Sequence, residues 1–253
     1  MICRRLASAP EKFDGKVSGT LISHWETLLF TRDFHGKYHG LWYKDNFPEL
    51  FAALEKDEEQ ISDVLKRYIK DGFRSGHTDN LQNIVREYIK ENESNVINKA
   101  YYWWKNKMIY ALYKYERSSG ANIREVMQAT ISVEHILPQD WQWIKEEDAN
   151  LIEKNEEEWN QFKEGINNII NGAGNLLLIK PGENAQASNK HPKDKYYNPL
   201  YSGGSYKQHD ENRIIWRNSS NWNDTIRKRG QLIHQFILEH LVGPNDITND
   251  IGQ

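Results

Sequence analysis

Apolar residues return every three or four positions along the first half of this chain, and that spacing constrains its fold more than any other feature. Ile61, Val64, Leu65, Tyr68 and Ile69 share one helical face, as do Leu81, Ile84, Val85, Tyr88 and Ile89. Positions three, four and seven apart lie above one another on a helix of 3.6 residues per turn. A third stretch carries Ile97, Tyr101, Trp104, Met108, Leu112 and Tyr115 on one face. The run Tyr101-Tyr102-Trp103-Trp104 has the aromatic density of a base-stacking platform, but its periodicity assigns it to core packing. Gly72 and Gly76 bracket a break between helices, and Ser118-Ser119-Gly120-Ala121-Asn122 reads as a loop.

The pattern then changes. Ile131-Ser132-Val133 and Leu176-Leu177-Leu178-Ile179 are short apolar runs rich in branched side chains, each bounded by Pro or Gly, as strands are. Between them, Lys145 to Ile170 reads as an acidic helical stretch. After Pro181-Gly182, the segment from Glu183 to Lys190 suits one short helix. Residues Lys190 to Asn223 are rich in Asn, Ser, Gly and Tyr, too long a stretch for a plain connection and therefore functional or mobile. Asp224 can cap a last helix whose apolar face is Ile226, Ile233, Phe236, Ile237 and Leu241. The fold class is mainly α with a small embedded ββα unit, hence α+β.

Composition excludes several classes. Of 253 residues, 38% are hydrophobic, enough for a real core, and no run approaches the ~18 apolar residues of a membrane span. The start, Met1-Ile2-Cys3-Arg4-Arg5-Leu6, lacks the apolar stretch of a signal peptide. The single cysteine, Cys3, can form neither an internal disulfide nor a Cys-rich zinc site, so a reducing cytoplasm is expected. The net charge of −3 alone argues against nucleic acid. Its distribution argues otherwise: residues 140–164 hold nine acids and three lysines, whereas residues 172–230 hold ten Lys/Arg and five Asp/Glu. The basic third suits a phosphate-facing surface or a solvated charged face.

Polar residues fall on the two strands and the short helix where phosphodiester hydrolysis needs them. Glu134 and His135 are adjacent on the first strand, so their side chains start on opposite faces, and Pro138 ends that strand. Asn175 opens the second strand and Asn184 follows nine residues later, at the short helix. Histidine suits a general base, being largely neutral at pH 7. Glu134 and Asn184 offer the oxygen ligands that a hard divalent cation prefers. Asn175 can donate and accept at once, so it can brace the backbone that carries His135. A Glu-His pair with two distant asparagines also arises by chance, and a lone histidine is commonly a surface or satisfied core residue.

Recognition sharpens this. Val133-Glu134-His135-Ile136-Leu137-Pro138-Gln139 resembles the first motif of HNH (His-Me finger) nucleases. Gly174-Asn175-Leu176-Leu177-Leu178 resembles the second motif, and Asn184-Ala185-Gln186-Ala187-Ser188-Asn189-Lys190 the third. Together they most resemble the C-terminal nuclease domain of GmrSD-type, modification-dependent restriction enzymes. Lys193 or Lys195 with Tyr196 and Tyr197 matches that family's Lys-Tyr element loosely, and Trp222, Ile226 and Arg229 match its closing spacing. The resemblance implies His135 as general base, Asn175 as the residue that orders the site, and Glu134 and Asn184 as ligands of one Mg²⁺ or Mn²⁺ ion. His191 is a reserve ligand that otherwise reads as surface. Lys190, Lys193, Lys195 and Arg229 are the expected contacts to a DNA backbone, the alternative for the lysines being plain solvation and for Arg229 packing. Trp141, Trp143 and Trp222 read as core.

The domains expected are a helical N-terminal region of unassigned role over residues 1–95, an HNH nuclease domain over 96–241 with its ββα-metal core near 130–190, and a flexible tail over 242–253. The function implied is a metal-dependent DNA endonuclease, nicking by default because one such site handles one strand, in bacterial defence against phage or modified foreign DNA. Relatives of this kind usually carry an N-terminal nucleotide-binding half that senses modified DNA. This chain has no G-x-x-x-x-G-K-S/T phosphate loop, so that sensor is expected in a missing half or a separate subunit. The alternative is a non-catalytic module that binds nucleic acid or a partner protein, which the acidic segment and the weak net charge would suit.

Overall fold

The computed structural model describes residues 81–103, 105–118, 132–179, 181–197 and 219–242. The helix expected over Ile61 to Ile69, the Gly72/Gly76 break, the loop after Ser118 and the tail from Gly243 lie outside the described residues, as does much of the Lys190–Asn223 stretch. The chain divides into two compact units, Met1–Glu91 with Ile237–Gln253, and Asn92–Phe236. In the first, helix α1 (Leu81–Glu91) buries Val85 and Ile89. Arg86 there donates to the carbonyl of Leu238 at 3.2 Å, in the π-helical turn Ile237–Leu241.

The second unit holds the strands. Helices α2 (Glu93–Trp103) and α3 (Lys105–Ser118) lead into strand β1 (Ser132–His135), and a 3-10 turn (Gln142–Glu146) leads to α4 (Ala149–Ile152) and α5 (Glu156–Ile169). A 3-10 turn (Ala173–Asn175) then opens β2 (Leu176–Ile179), followed by α6 (Pro181–Ala187), α7 (Pro192–Tyr197) and α8 (Trp222–Phe236). The two strands form an antiparallel sheet with His135 opposite Leu176 and Glu134 opposite Leu177. The unit is therefore mostly helical with one small sheet. α3 buries Met108, Leu112 and Tyr115, which lie on the face its sequence spacing predicts, and Ala111 beside them.

Local polar residues set the element boundaries. The acidic stretch expected to be helical throughout breaks twice, because two residues cap new helices. Asp148 accepts the amide of Asn150 at 2.9 Å and opens α4. Asn155 and Glu158 form a reciprocal capping box, each side chain 3.0 Å from the other's amide, and open α5. Glu156, Glu157 and Glu158 sit in the first turn, where the helix dipole favours negative charge. The short helix begins at Pro181, whose fixed φ suits a first helical position, and stops at Ser188, which has a left-handed φ of 42°. The polar stretch after Lys190 contains α7, a helix the sequence reading lacks. α8 starts at Trp222, so Asp224 lies inside its first turn rather than capping it.

The core joins the end of β1 to α5, β2 and α8. Ile136, Leu137, Trp141, Ile144, Phe162, Ile166, Leu177, Trp222 and Ile226 all lie in it. Trp141 packs edge-on against Trp159 and Phe162 with ring centroids 5.5 and 5.8 Å away. Trp141 and Trp222 are buried as expected, whereas Trp143 is half-buried at the edge of the core.

The stretch from Asn171 to Leu176 is gripped on three sides. α2 is distorted at Lys99 (φ −136°), and the Tyr101 amide donates to the carbonyl of Asn171 at 2.9 Å instead of continuing the helical ladder. A Cβ on Gly172 would stand 1.6 Å from the carbonyl oxygen of Ile97, and one on Gly174 would stand 1.8 Å from that of Ile226. These glycines let α2 and α8 press backbone against backbone on the turn. From α8, the fully buried Arg229 aims Nη1 at the carbonyls of Ala173, Gly174 and Leu176 at 3.1, 2.9 and 2.8 Å. Its other face looks towards buried Glu116, 3.9 Å away.

Asn175 carries that grip across to β1. Its side chain is fully buried. Oδ1 accepts the Leu137 amide at 2.8 Å, and Nδ2 donates to the carbonyls of Leu137 and Ile170 at 2.9 and 2.8 Å. Its own carbonyl accepts the Ile136 amide at 2.8 Å.

Two stability tests follow from this packing. Gly174→Ala should cost about 3 kcal/mol, because only backbone can yield to the added carbon. Gly182→Ala, at a helical position with open space around it, should be neutral or stabilise by about 0.5 kcal/mol. Equal urea midpoints for the two variants would contradict the close approach. Asn175→Ala should cost about 3 kcal/mol, since it leaves three buried backbone groups unsatisfied, and the same denaturation assay measures it.

Candidate active site

His135 ends β1, immediately before the braced turn. Its Nε2 lies 3.1 Å from Asn171 Oδ1, and the same oxygen accepts from Gln139 Nε2 at 2.8 Å. An amide oxygen only accepts, so Nε2 must carry the ring hydrogen and Nδ1 is left with the lone pair. The Tyr101 ring lies 4.9 Å from the imidazole, tilted by 58°. Burial lowers the pKa of His135 to about 4, with the Asn171 hydrogen bond opposing that shift and nearby Lys195 adding to it. The imidazole is therefore neutral across the physiological range, a base held in one tautomer.

Glu134 starts from the opposite face of β1 and is buried. Lys195 of α7 reaches it, placing Nζ 2.5 Å from Glu134 Oε1, 2.9 Å from the His135 carbonyl and 3.3 Å from the Ile136 carbonyl. Burial pushes the Glu134 carboxyl up, opposed by Lys195, and pushes the Lys195 ammonium down, opposed by Glu134. Asn184, in α6, turns Nδ2 onto Ser132 Oγ and onto the Val133 carbonyl at 3.2 Å. Its amide thus bonds along the same strand that carries Glu134 and His135.

The remaining expected residues separate clearly. Lys190 and Lys193 are exposed, as a phosphate contact requires. Lys195 and Arg229 are not: both are fully buried, and both spend their charge on internal oxygens. The backbone-contact role expected of those two is corrected, because a side chain with no exposed surface cannot meet a DNA phosphate. His191 is half-buried rather than exposed. It accepts the Lys193 amide on Nδ1 at 3.0 Å and sets Nε2 3.6 Å from Asp148, so neither nitrogen is left for an ion.

Sequence reasoning assigned no role to Asn171 or Gln139 and read Tyr101 only as core packing. Gln139 lies within the first motif, and Asn171-Gly172 is a recognisable turn signal, but only the fold brings both to His135. A divalent cation is the group that Glu134 and Asn184 suggest, since each carries an oxygen donor, although Glu134 Oε1 already meets the Lys195 ammonium. With Nδ2 of Asn184 committed, its carbonyl oxygen would be the atom free to ligate, and the Lys195 contact with Glu134 is to Oε1 alone. Among the described residues no three His, Cys, Asp or Glu side chains gather as a metal site. Water would complete the shell, as it commonly does around Mg²⁺.

The family model for the C-terminal domain of GmrSD restriction endonucleases matches residues 62–236. No curated protein and no solved structure gives a match. Among the described residues no helix is long and apolar enough to cross a membrane. The matched span covers more than half of the 253 residues and includes His135, Asn175, Asn184 and the Arg229 grip. On that match the chain belongs to the GmrSD restriction endonuclease C-terminal domain family, with the nuclease role that family carries.

Proposed function

We propose that this chain is a cytoplasmic, metal-dependent DNA endonuclease of the HNH kind, nicking one strand per site, in bacterial defence against phage or modified foreign DNA. The observation that carries this reading is His135, a half-buried neutral imidazole whose Nε2 hydrogen is held by Asn171 and whose Nδ1 keeps its lone pair. β1, β2 and α6 follow in the ββα order of that nuclease class, with Glu134, His135 and Asn184 all bonded on or along β1.

In this mechanism Nδ1 of His135 takes a proton from water as its oxygen attacks the phosphorus, and the bond to the leaving 3′ oxygen breaks. Asn171 fixes the ring so that the accepting nitrogen does not rotate away, and Asn175 fixes the backbone beneath it. Glu134 and Asn184 would hold the Mg²⁺ or Mn²⁺ ion, which when bound neutralises charge developing at the leaving oxygen. Lys190 and Lys193, both exposed, would meet the DNA backbone. The choice of modified DNA would fall to an N-terminal nucleotide-binding sensor half or a separate subunit.

Plasmid nicking with Mg²⁺ or Mn²⁺ tests the reading. EDTA should abolish it, and His135→Ala should lower it on the order of 10²–10⁴-fold. Undiminished cleavage by that variant would remove His135 from the chemistry, and no cleavage by the parent protein under any divalent ion would favour the non-catalytic binding module.

The pH dependence has a definite sign. His135 shifts from 6.5 to about 4 on folding, so between those values the unfolded chain binds more protons. Its contribution to stability is whole above pH 6.5 and is lost as the pH falls towards 4, up to about 3 kcal/mol. His135→Gln should flatten that slope in urea titrations. The acid limb of kcat/KM should fall nearer pH 4 than pH 6.5, and a midpoint at 6.5 would contradict the desolvated imidazole.

A further inference from the structure

Lys195 is a buried cation that a DNA phosphate cannot reach, and its surroundings are unusually specific. The side chain is fully buried on α7, sixty residues beyond His135. An ammonium has three hydrogens, and here it faces three oxygens: Glu134 Oε1, the His135 carbonyl and the Ile136 carbonyl. Balancing Glu134 would need the first contact only. The other two fall on the two peptide units that follow the His135 Cα.

The amide ends of those same peptide units are held by Asn175. The Ile136 amide donates to its carbonyl and the Leu137 amide to its side chain, both at 2.8 Å. Each unit is thus gripped at its oxygen by Lys195 and at its nitrogen by Asn175. Two fixed peptide planes set the backbone dihedrals around Ile136 and hold the end of β1 from which the imidazole projects. We infer that Lys195 is a positioning residue for His135, an ammonium clasp that acts through the backbone of residues 135–136; its link to catalysis rests on the nuclease reading above.

Methionine is close to lysine in length and has no charge, so it removes the clasp with little change in volume. In the full-length protein, Lys195→Met should speed amide exchange at Ile136 and Leu137 about 10-fold or more while leaving the Tyr101 amide, bonded to Asn171, protected as in the parent. In plasmid nicking it should lower kcat about 10–100-fold with KM within about twofold, as displacement of a reacting group does. If Lys195→Met does not fold, Lys195→Ala with ethylammonium in the buffer takes its place. Ethylammonium should restore exchange protection at residues 136–137 and part of kcat, and tetramethylammonium, which has no N–H, should restore neither.

Unchanged exchange at Ile136 and Leu137 would overturn the clasp, and so would a uniform loss of protection that includes Tyr101. Faster local exchange with undiminished kcat would overturn the positioning role. No response of Lys195→Ala to ethylammonium would also count against it. Should the parent protein nick no DNA, the nuclease reading falls and catalytic positioning with it, while the exchange measurement still decides whether the clasp exists.

Discussion

The buried side chain of Asn175 holds this unit together at the point where its sheet meets its helices. Every hydrogen-bonding site it uses goes to backbone: one acceptor for Leu137 and two donors for Leu137 and Ile170. No apolar residue could replace it without orphaning those groups, and a buried orphan costs about 1–3 kcal/mol. Aspartate would keep the acceptor, lose both donors and bring a charge into a dry site. The geometry of β1, the turn after it and the end of α5 therefore converge on one amide.

That amide is held in place by the way α2 and α8 close on the 171–176 turn. Gly172 and Gly174 bring helix carbonyls to distances no Cβ would permit, and Arg229 ties three carbonyls of the same stretch. A buried guanidinium is expensive to desolvate unless its hydrogens find oxygens. Here the turn carbonyls meet Nη1, Glu116 lies 3.9 Å from Nη2 and balances the charge, and the Tyr115 ring is 5.9 Å away. The distortion of α2 at Lys99 belongs to the same arrangement, since it frees the Tyr101 amide for Asn171 and brings the Tyr101 ring against His135.

The two neighbouring polar residues of β1 experience different surroundings because a strand sends them to opposite faces. His135 meets an aromatic ring and an amide oxygen, so burial keeps it neutral while its hydrogen is pinned. Glu134 meets an ammonium, so its charge has a partner even though burial opposes it. A base that stays neutral and a carboxylate that stays accompanied are therefore built within two residues of sequence.

Much of the outline was legible in residue order alone. Two branched runs bounded by Pro and Gly mark the strands, and helical spacing marks α3 and the face of α8, because each of these depends on neighbours within a few positions; Glu134-His135, Asn175 and Asn184 lie far apart in the chain and were singled out by motif resemblance, not by local spacing. Helix boundaries were less legible where a capping side chain outweighed a continuous acidic pattern, as at Asp148 and Asn155. What only the tertiary structure decided is which polar side chains are buried and whom they serve. Lys195 and Arg229 read as phosphate contacts because Lys and Arg are ordinarily exposed, yet each is enclosed by carbonyl oxygens from residues about sixty positions away. Nothing in the sequence sets Asn171 on the imidazole or Gln139 on the same Asn171 oxygen. Local spacing determines where strands and helices form, whereas the desolvation that gives a charge or an imidazole its role exists only once distant backbone closes around it.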